Sequence, residues 1–144
     1  MSTPSRTPEQ IEAEIAVLEA NAAFYRAFHD GDLAAMEQVW AEQTPTVCVH
    51  PGMRWLVGRR AILGSWAQIL SELAGFDMSC RQPRVHLLGD VALVTCLEAN
   101  GDKAAHLVAT NVFVREGSAW RMVHHHAGPL SKAVPAEEGT TQAN

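Results

Sequence analysis

Thr46-Val47-Cys48-Val49-His50-Pro51-Gly52 decides how this chain is read. Its β-branched residues and thiol form a short strand, and Pro51-Gly52 ends that strand in a turn. The sheet holds the backbone of His50, while its side chain leans toward whatever the flanking elements enclose. An imidazole there titrates near neutrality, so His50 can give or take a proton.

Upstream, Thr7-Pro8-Glu9-Gln10 opens a helix, with Thr7 as N-cap, Pro8 at the first helical position and Gln10 completing a capping box. Ile11, Ile15, Leu18, Ala22, Tyr25 and Phe28 recur at helical spacing as its apolar stripe. Gly31 stops it, and Asp32 caps a shorter helix carrying Leu33, Met36, Val39 and Trp40.

Downstream, Met53 to Val57 predicts a short return strand, and Arg59 to Leu73 a third helix with Ile62, Trp66, Ile69, Leu70 and Leu73 inward. Phe76 to Ala127 reads as antiparallel strands turning at Gly89-Asp90, Asn100-Gly101 and Gly117-Ser118, with a bend at Pro83. Helices first and a curled meander after them predict an α+β domain over 8–129. Residues 1–7 and 130–144 read as disordered ends.

With 144 residues, 47% hydrophobic and 19% charged, the chain makes one compact domain. The net charge of −5, with no basic stripe, argues against nucleic acid or an anionic membrane as partner. No apolar run approaches the ~20 residues that span a bilayer. The N-terminus predicts no secretory leader, and Cys48, Cys80 and Cys96 read as reduced core thiols of a cytoplasmic protein.

Turn positions set the register, and register sets which side chains meet. Asn100-Gly101 as a two-residue turn places Glu98 opposite Lys103, Cys96 opposite Ala105 and Val94 opposite Leu107. Gly117-Ser118 places Phe113 opposite Met122, Asn111 opposite His124 and Ala109 opposite His126. Both turns put Asn111, His124 and His126 on one inner face. The other face, with Leu93, Leu97, Val108, Val112, Val123 and His125, is too apolar to leave in water, which predicts a homodimer through the outer sheet face.

Phe28-His29-Asp30-Gly31-Asp32-Leu33, Val49-His50-Pro51-Gly52, Gly58-Arg59-Arg60-Ala61-Ile62, Thr110-Asn111-Val112-Phe113 and Trp120-Arg121-Met122-Val123-His124-His125-His126 together carry a resemblance. Over Pro8 to Pro129 the chain resembles the nuclear transport factor 2-like superfamily, and within it SnoaL-like and ketosteroid-isomerase-like domains. The resemblance implies a cone-shaped curved antiparallel sheet wrapped around three helices, a cystatin-like α+β roll. It also places His50 where ketosteroid isomerases carry an aspartate base, and Asn111 where they carry a protonated aspartate donor. Their tyrosine donor on the first helix falls at Phe24, with Tyr25 next to it.

Two functions follow as expectations. One is cofactor-free acid/base chemistry, of isomerase, cyclase or dehydratase type, on a small apolar carbonyl compound. There His50 is the base and Asn111 and His124 are donors, with Trp55, Tyr25, Phe24, Cys96, Glu98, Phe113, Met122 and His126 lining the pocket. The other is a non-catalytic dimer that binds a small molecule or a partner. His124 and His126 share a strand face, with Glu98 or Cys96 in reach, but pocket-lining imidazoles are favoured over a metal site. Trp40 and Trp66 are expected in the core, and Trp55 and Trp120 at the pocket rim. His125 is expected to face outward, and Arg59-Arg60 to open the third helix in solvent or to cap a neighbouring loop.

Overall fold

The computed structural model describes residues 5–136. Three helices, α1 (Pro8–Asp30), α2 (Leu33–Val39) and α3 (Arg59–Glu72), pack inside a curved, unclosed sheet of six strands. The strands are β1 (Val47–Val49), β2 (Trp55–Val57), β3 (Met78–Leu88), β4 (Val91–Asn100), β5 (Ala105–Glu116) and β6 (Ala119–Val134), in the spatial order β2-β1-β6-β5-β4-β3. The long strands β3 to β6 form an antiparallel meander. β1 joins it in parallel to β6, pairing Cys48 with His125, so the sheet is mixed rather than wholly antiparallel.

Local chemistry at the helix ends matches the sequence. Thr7 Oγ1 accepts from the Gln10 amide at 3.1 Å and Gln10 Oε1 accepts from the Thr7 amide at 2.8 Å, the reciprocal pair of a capping box. Gly31 takes the left-handed conformation (φ 64°) that closes α1, and Asp32 caps α2 through the Ala35 amide at 3.0 Å. The Arg59 guanidinium donates to the carbonyls of Glu37 (2.8 Å) and Trp40 (2.7 Å), fastening the end of α2.

The α1 stripe is rotated from its expected position. Val17, Asn21, Phe24, Tyr25 and Ala27 are buried, whereas Ile11 and Ile15 are 43% and 55% exposed, because the first turns of α1 lie outside the main core cluster. Trp40 and Trp66 sit fully in the core as expected, with Phe24, Met36, Ile62, Phe113 and Met122 around them. Trp120 is buried instead of standing at a pocket rim, with the Arg115 guanidinium 4.9 Å above its ring. Trp55 lies on the edge strand β2 and is 66% exposed, away from the interior.

Two hairpins keep their expected turns: Leu88 pairs Val91 across Gly89-Asp90, and Glu116 pairs Ala119 across Gly117-Ser118. The bulge expected near Pro83 is present, as a register shift between Arg81 and Arg84 with Gln82 at φ 53°. Asn100-Gly101 is not a two-residue turn. β3 holds Gly101, whose amide donates to the Asp77 carbonyl and whose carbonyl accepts from Ser79 Oγ and Arg81 Nη2, both at 2.7 Å. The chain turns later, and Cys96 pairs Ala109 instead of Ala105. This slip is even, so the inner and outer faces keep their members.

A second irregularity has the opposite effect. Phe113 pairs Met122, but Val112 pairs His124, leaving Val123 as an extra residue on β6. One inserted residue exchanges the faces of everything beyond it. Asn111 therefore meets His125, while His124 and His126 turn to the outer face. β6 also continues to Val134, which pairs Ala105, so the folded chain runs past the end expected near residue 129. Residues 1–4 and 137–144, within the expected disordered ends, lie outside the described residues.

Candidate functional site

His50 stands where expected, at the end of β1, and is 4% exposed. Its Nε2 lies 2.9 Å from Ser65 Oγ, and that hydroxyl donates to the Ile62 carbonyl at 2.7 Å. The Ser65 proton is thus committed, and His50 Nε2–H donates to Ser65. Burial lowers the pKa of His50 below its usual value.

His50 and Asn111 do not look into a shared hollow. Trp66 packs edge-on against His50 at 5.0 Å, Phe24 against Trp66 at 5.3 Å, and the His125 ring lies 4.8 Å from Phe24 and 5.9 Å from Trp66. Aromatic rings fill the interval, and such pairs contribute about 0.5–1.5 kcal/mol each beyond the area they bury. His50 is therefore a packed imidazole. His124, expected as a donor beside it, donates Nδ1–H to the Val47 carbonyl at 2.9 Å from the outer face, and His126 is exposed beside it. Among the described residues no three His, Cys, Asp or Glu side chains gather to hold a metal ion.

The polar groups that do meet come from α1 and three strands. Asn111 Nδ2 donates to Asn21 Oδ1 at 2.8 Å and to the Tyr25 hydroxyl at 3.2 Å. Asn111 Oδ1 lies 2.6 Å from His125 Nδ1; a carbonyl oxygen only accepts, so that nitrogen carries the proton. Tyr25 donates its own proton to Glu98 Oε2 at 2.7 Å and also touches Cys96 Sγ at 3.2 Å. His125 Nε2, left as a lone pair, faces Glu98 Oε2 at 3.9 Å. Asn21, Tyr25, Glu98, Asn111 and His125 are each 5% exposed or less.

Burial governs the charges of this cluster. It pushes the Glu98 carboxyl above the ordinary carboxylate range, with the Tyr25 hydrogen bond opposing part of the rise. It pushes His125 down to about 3, helped by the neighbouring imidazoles of His50, His124 and His126. The Glu98–His125 contact is thus a carboxyl facing a neutral ring, not an ion pair. Burial and the Glu98 charge also raise Tyr25 well above the usual phenol value, so it stays a donor.

Glu98 also lines a cavity of about 320 Å³ at the end of the roll, together with Phe76, Met78, Ala99, Asn100, Lys103, Ala104, His106 and Leu107. The cavity combines apolar walls with a buried carboxyl whose proton affinity is raised, the arrangement expected of an acid/base group.

Tyr25, Phe24, Cys96, Glu98, Asn111, Phe113 and Met122, all named from the sequence, do come together on the inner face. Phe24 has no hydroxyl, and Tyr25 one residue on supplies one because both rings are buried. Sequence reasoning missed Asn21, His125 and Lys103. Asn21 lies four residues before Tyr25, a helical spacing that flags a polar residue within an apolar stripe. His125 was hidden by the bulge at Val123.

Residues 17–131 match the family described as SnoaL-like domain. A solved structure from Streptomyces avermitilis, a proposed dehydratase of the NTF2-like family, is 34% identical, with 88% of this chain and all of that one covered and a TM-score of 0.74. A second, from Thiobacillus denitrificans, is a proposed calcium/calmodulin-dependent protein kinase type II association domain; it is 31% identical, covering 90% of this chain and 100% of that one, with a TM-score of 0.69. F-box protein SKIP8 of Arabidopsis thaliana is 29% identical over 115 residues, which are 80% of this chain and 50% of that protein. The chain thus spans about half the length of that curated relative. The chain belongs to the SnoaL-like domain family of the NTF2-like superfamily.

Proposed function

We propose that this chain performs cofactor-free acid/base chemistry on a small, largely apolar carbonyl compound bound in the Glu98 cavity. The observation that carries the reading is Glu98 itself: a buried carboxyl of raised proton affinity, bonded by Tyr25, in the wall of an apolar cavity. As a carboxylate it removes a proton from the carbon beside the carbonyl, giving an enolate and a carboxylic acid. Returning that proton to a different carbon is isomerisation; delivering it to a β-hydroxyl as the Cβ–O bond breaks expels water, leaves an enone and is dehydration. Tyr25 positions the carboxyl and opposes part of the rise in its pKa. Asn111 holds Tyr25 and orients His125, whose bare Nε2 faces the Glu98 carboxyl. The relative from Streptomyces avermitilis, a proposed dehydratase, supports this class of reaction.

The test is exchange of α-protons for deuterium in a panel of ketones and enones, followed by proton NMR. Wild-type protein is expected to accelerate exchange for at least one member, and Glu98→Gln to abolish it. Equal exchange by both proteins would remove Glu98 from the chemistry.

A second reading is favoured by the relative described as an association domain. In it the chain is a dimeric module that binds a small molecule or a partner without turning it over. Either reading includes a homodimer through the outer sheet face, where Val108 is 41% exposed and Leu93, Leu97, Val112 and Val123 are half-buried. Three free thiols suit a reducing compartment such as the cytoplasm, and no helix among the described residues is long and apolar enough to cross a membrane.

A further inference from the structure

We infer that the Glu98 cavity selects carbonyl compounds that carry a carboxylate, with Lys103 holding that carboxylate at the mouth. The inference rests on the acid/base reading for placing the carbonyl at Glu98, and adds a substrate class to it. Glu98 is 3% exposed and Lys103 lies in the exposed loop between β4 and β5, so the two mark the inner and outer ends of one cavity. Between them the wall is apolar, built from Phe76, Met78 and Leu107.

Lys103 is the one lysine or arginine of this wall. Among the described residues it forms no ion pair, including with the exposed Asp102 beside it in the loop. Asp77 is bound by His29 Nε2 at 2.7 Å, and Arg81 donates to the Gly101 carbonyl at 2.7 Å. The only acidic side chain of the wall is Glu98, buried at the end opposite Lys103. A ligand carboxylate at the mouth therefore meets a cation with no ion-pair partner, while its carbonyl reaches toward Glu98 at the inner end, on a chain whose net charge of −5 would otherwise repel it. A neutral ligand of the same shape gains only the apolar contacts.

The experiment compares 4-oxo-4-phenylbutanoate with its methyl ester, using NMR-detected binding and α-deuterium exchange on wild type, Lys103→Gln and Glu98→Gln. In low salt the acid is expected to bind about fivefold tighter than the ester, the scale of an exposed ion pair. The preference should vanish in Lys103→Gln and shrink in high salt. Equal or better binding of the ester, or an unchanged preference in Lys103→Gln, overturns the inference; exchange that still depends on Glu98 then leaves the acid/base reading standing. Charge preference through Lys103 without Glu98-dependent exchange supports the anion site and overturns the acid/base reading. Failure of both compounds to bind overturns both.

Discussion

Asn111 Oδ1 accepts the Nδ1 proton of His125 at 2.6 Å, directly across β5 and β6. This bond exists because β6 carries one extra residue at Val123, and it sets the direction of every proton in the buried cluster. His125 is fixed as a donor on one side and a bare base on the other. The Asn111 amide is in turn committed to Asn21 and Tyr25.

Removing the Asn111 side-chain amide should therefore cost more than removing an outer imidazole. Asn111→Leu leaves the His125 N–H and the Asn21 carbonyl oxygen unpaired inside the core, and is expected to lower unfolding stability by about 2–4 kcal/mol. His124→Ala gives up one bond to the Val47 carbonyl at the outer face and is expected to lose about 1 kcal/mol. Urea unfolding of the two variants checks the contrast; the reverse order would place His124, not His125, at the interior.

His125 should also destabilise the fold in acid. Its pKa falls to about 3 when folded, against about 6.5 when unfolded, so between those values the unfolded chain binds the extra proton. Stability contributed by the neutral ring is then complete above about pH 6.5 and lost as pH falls toward 3, on the order of 5 kcal/mol in all. Glu98 acts with the opposite sign: its raised folded pKa means the folded chain binds the extra proton, and stability declines as pH rises through the interval above about 4.3. Chemical unfolding of wild type and His125→Phe from neutral to acid pH is the check. The variant is expected to lose the acid slope, and a slope retained in full would assign it elsewhere.

Tyr25→Phe removes the hydrogen bond that opposes the rise in the Glu98 pKa. The carboxylate then forms only at higher pH. The rising limb of α-proton exchange against pH should move to higher pH by about one unit, the size of a single hydrogen bond to a charged group. An unmoved limb in a folded variant would separate Tyr25 from the titrating group.

A charge on the outer sheet face tests the dimer. Val108→Glu should convert a dimer to a monomer by native mass spectrometry at micromolar concentration, with the fold kept. A wild-type monomer would contradict the reading of that face.

The amino-acid pattern carried the architecture far because caps and turns are local. Thr7 with Gln10, Asp32, Gly89-Asp90 and Gly117-Ser118 need only their neighbours to act, and each is found in the role its chemistry implies. The site was harder to read because sheet faces depend on register over a distance. At Asn100-Gly101 the turn signal was overridden by three hydrogen bonds to Gly101, two from β3 (Ser79 and Arg81) and one with Asp77 just before it. That slip was even and harmless to the face assignment. At Val123 the slip was odd, and it exchanged His124 for His125 beside Asn111. Nothing in Met122-Val123-His124-His125-His126 announces which residue bulges, since any of these side chains tolerates either face. The base role expected of His50 was hard to judge for a different reason. Its strand-end position was right, but Trp66 and Phe24 fill the space it would have faced.

The most direct measurement is the titration of Glu98 itself, by the carbon-13 shift of its side-chain carboxyl in labelled protein, beside the pH dependence of α-proton exchange. The account predicts a midpoint clearly above about 4.3, the unperturbed value, and an exchange limb that rises with the same midpoint. A carboxyl that titrates at or below the ordinary value, or exchange whose pH dependence ignores it, would contradict the assignment of Glu98 as the acid/base group.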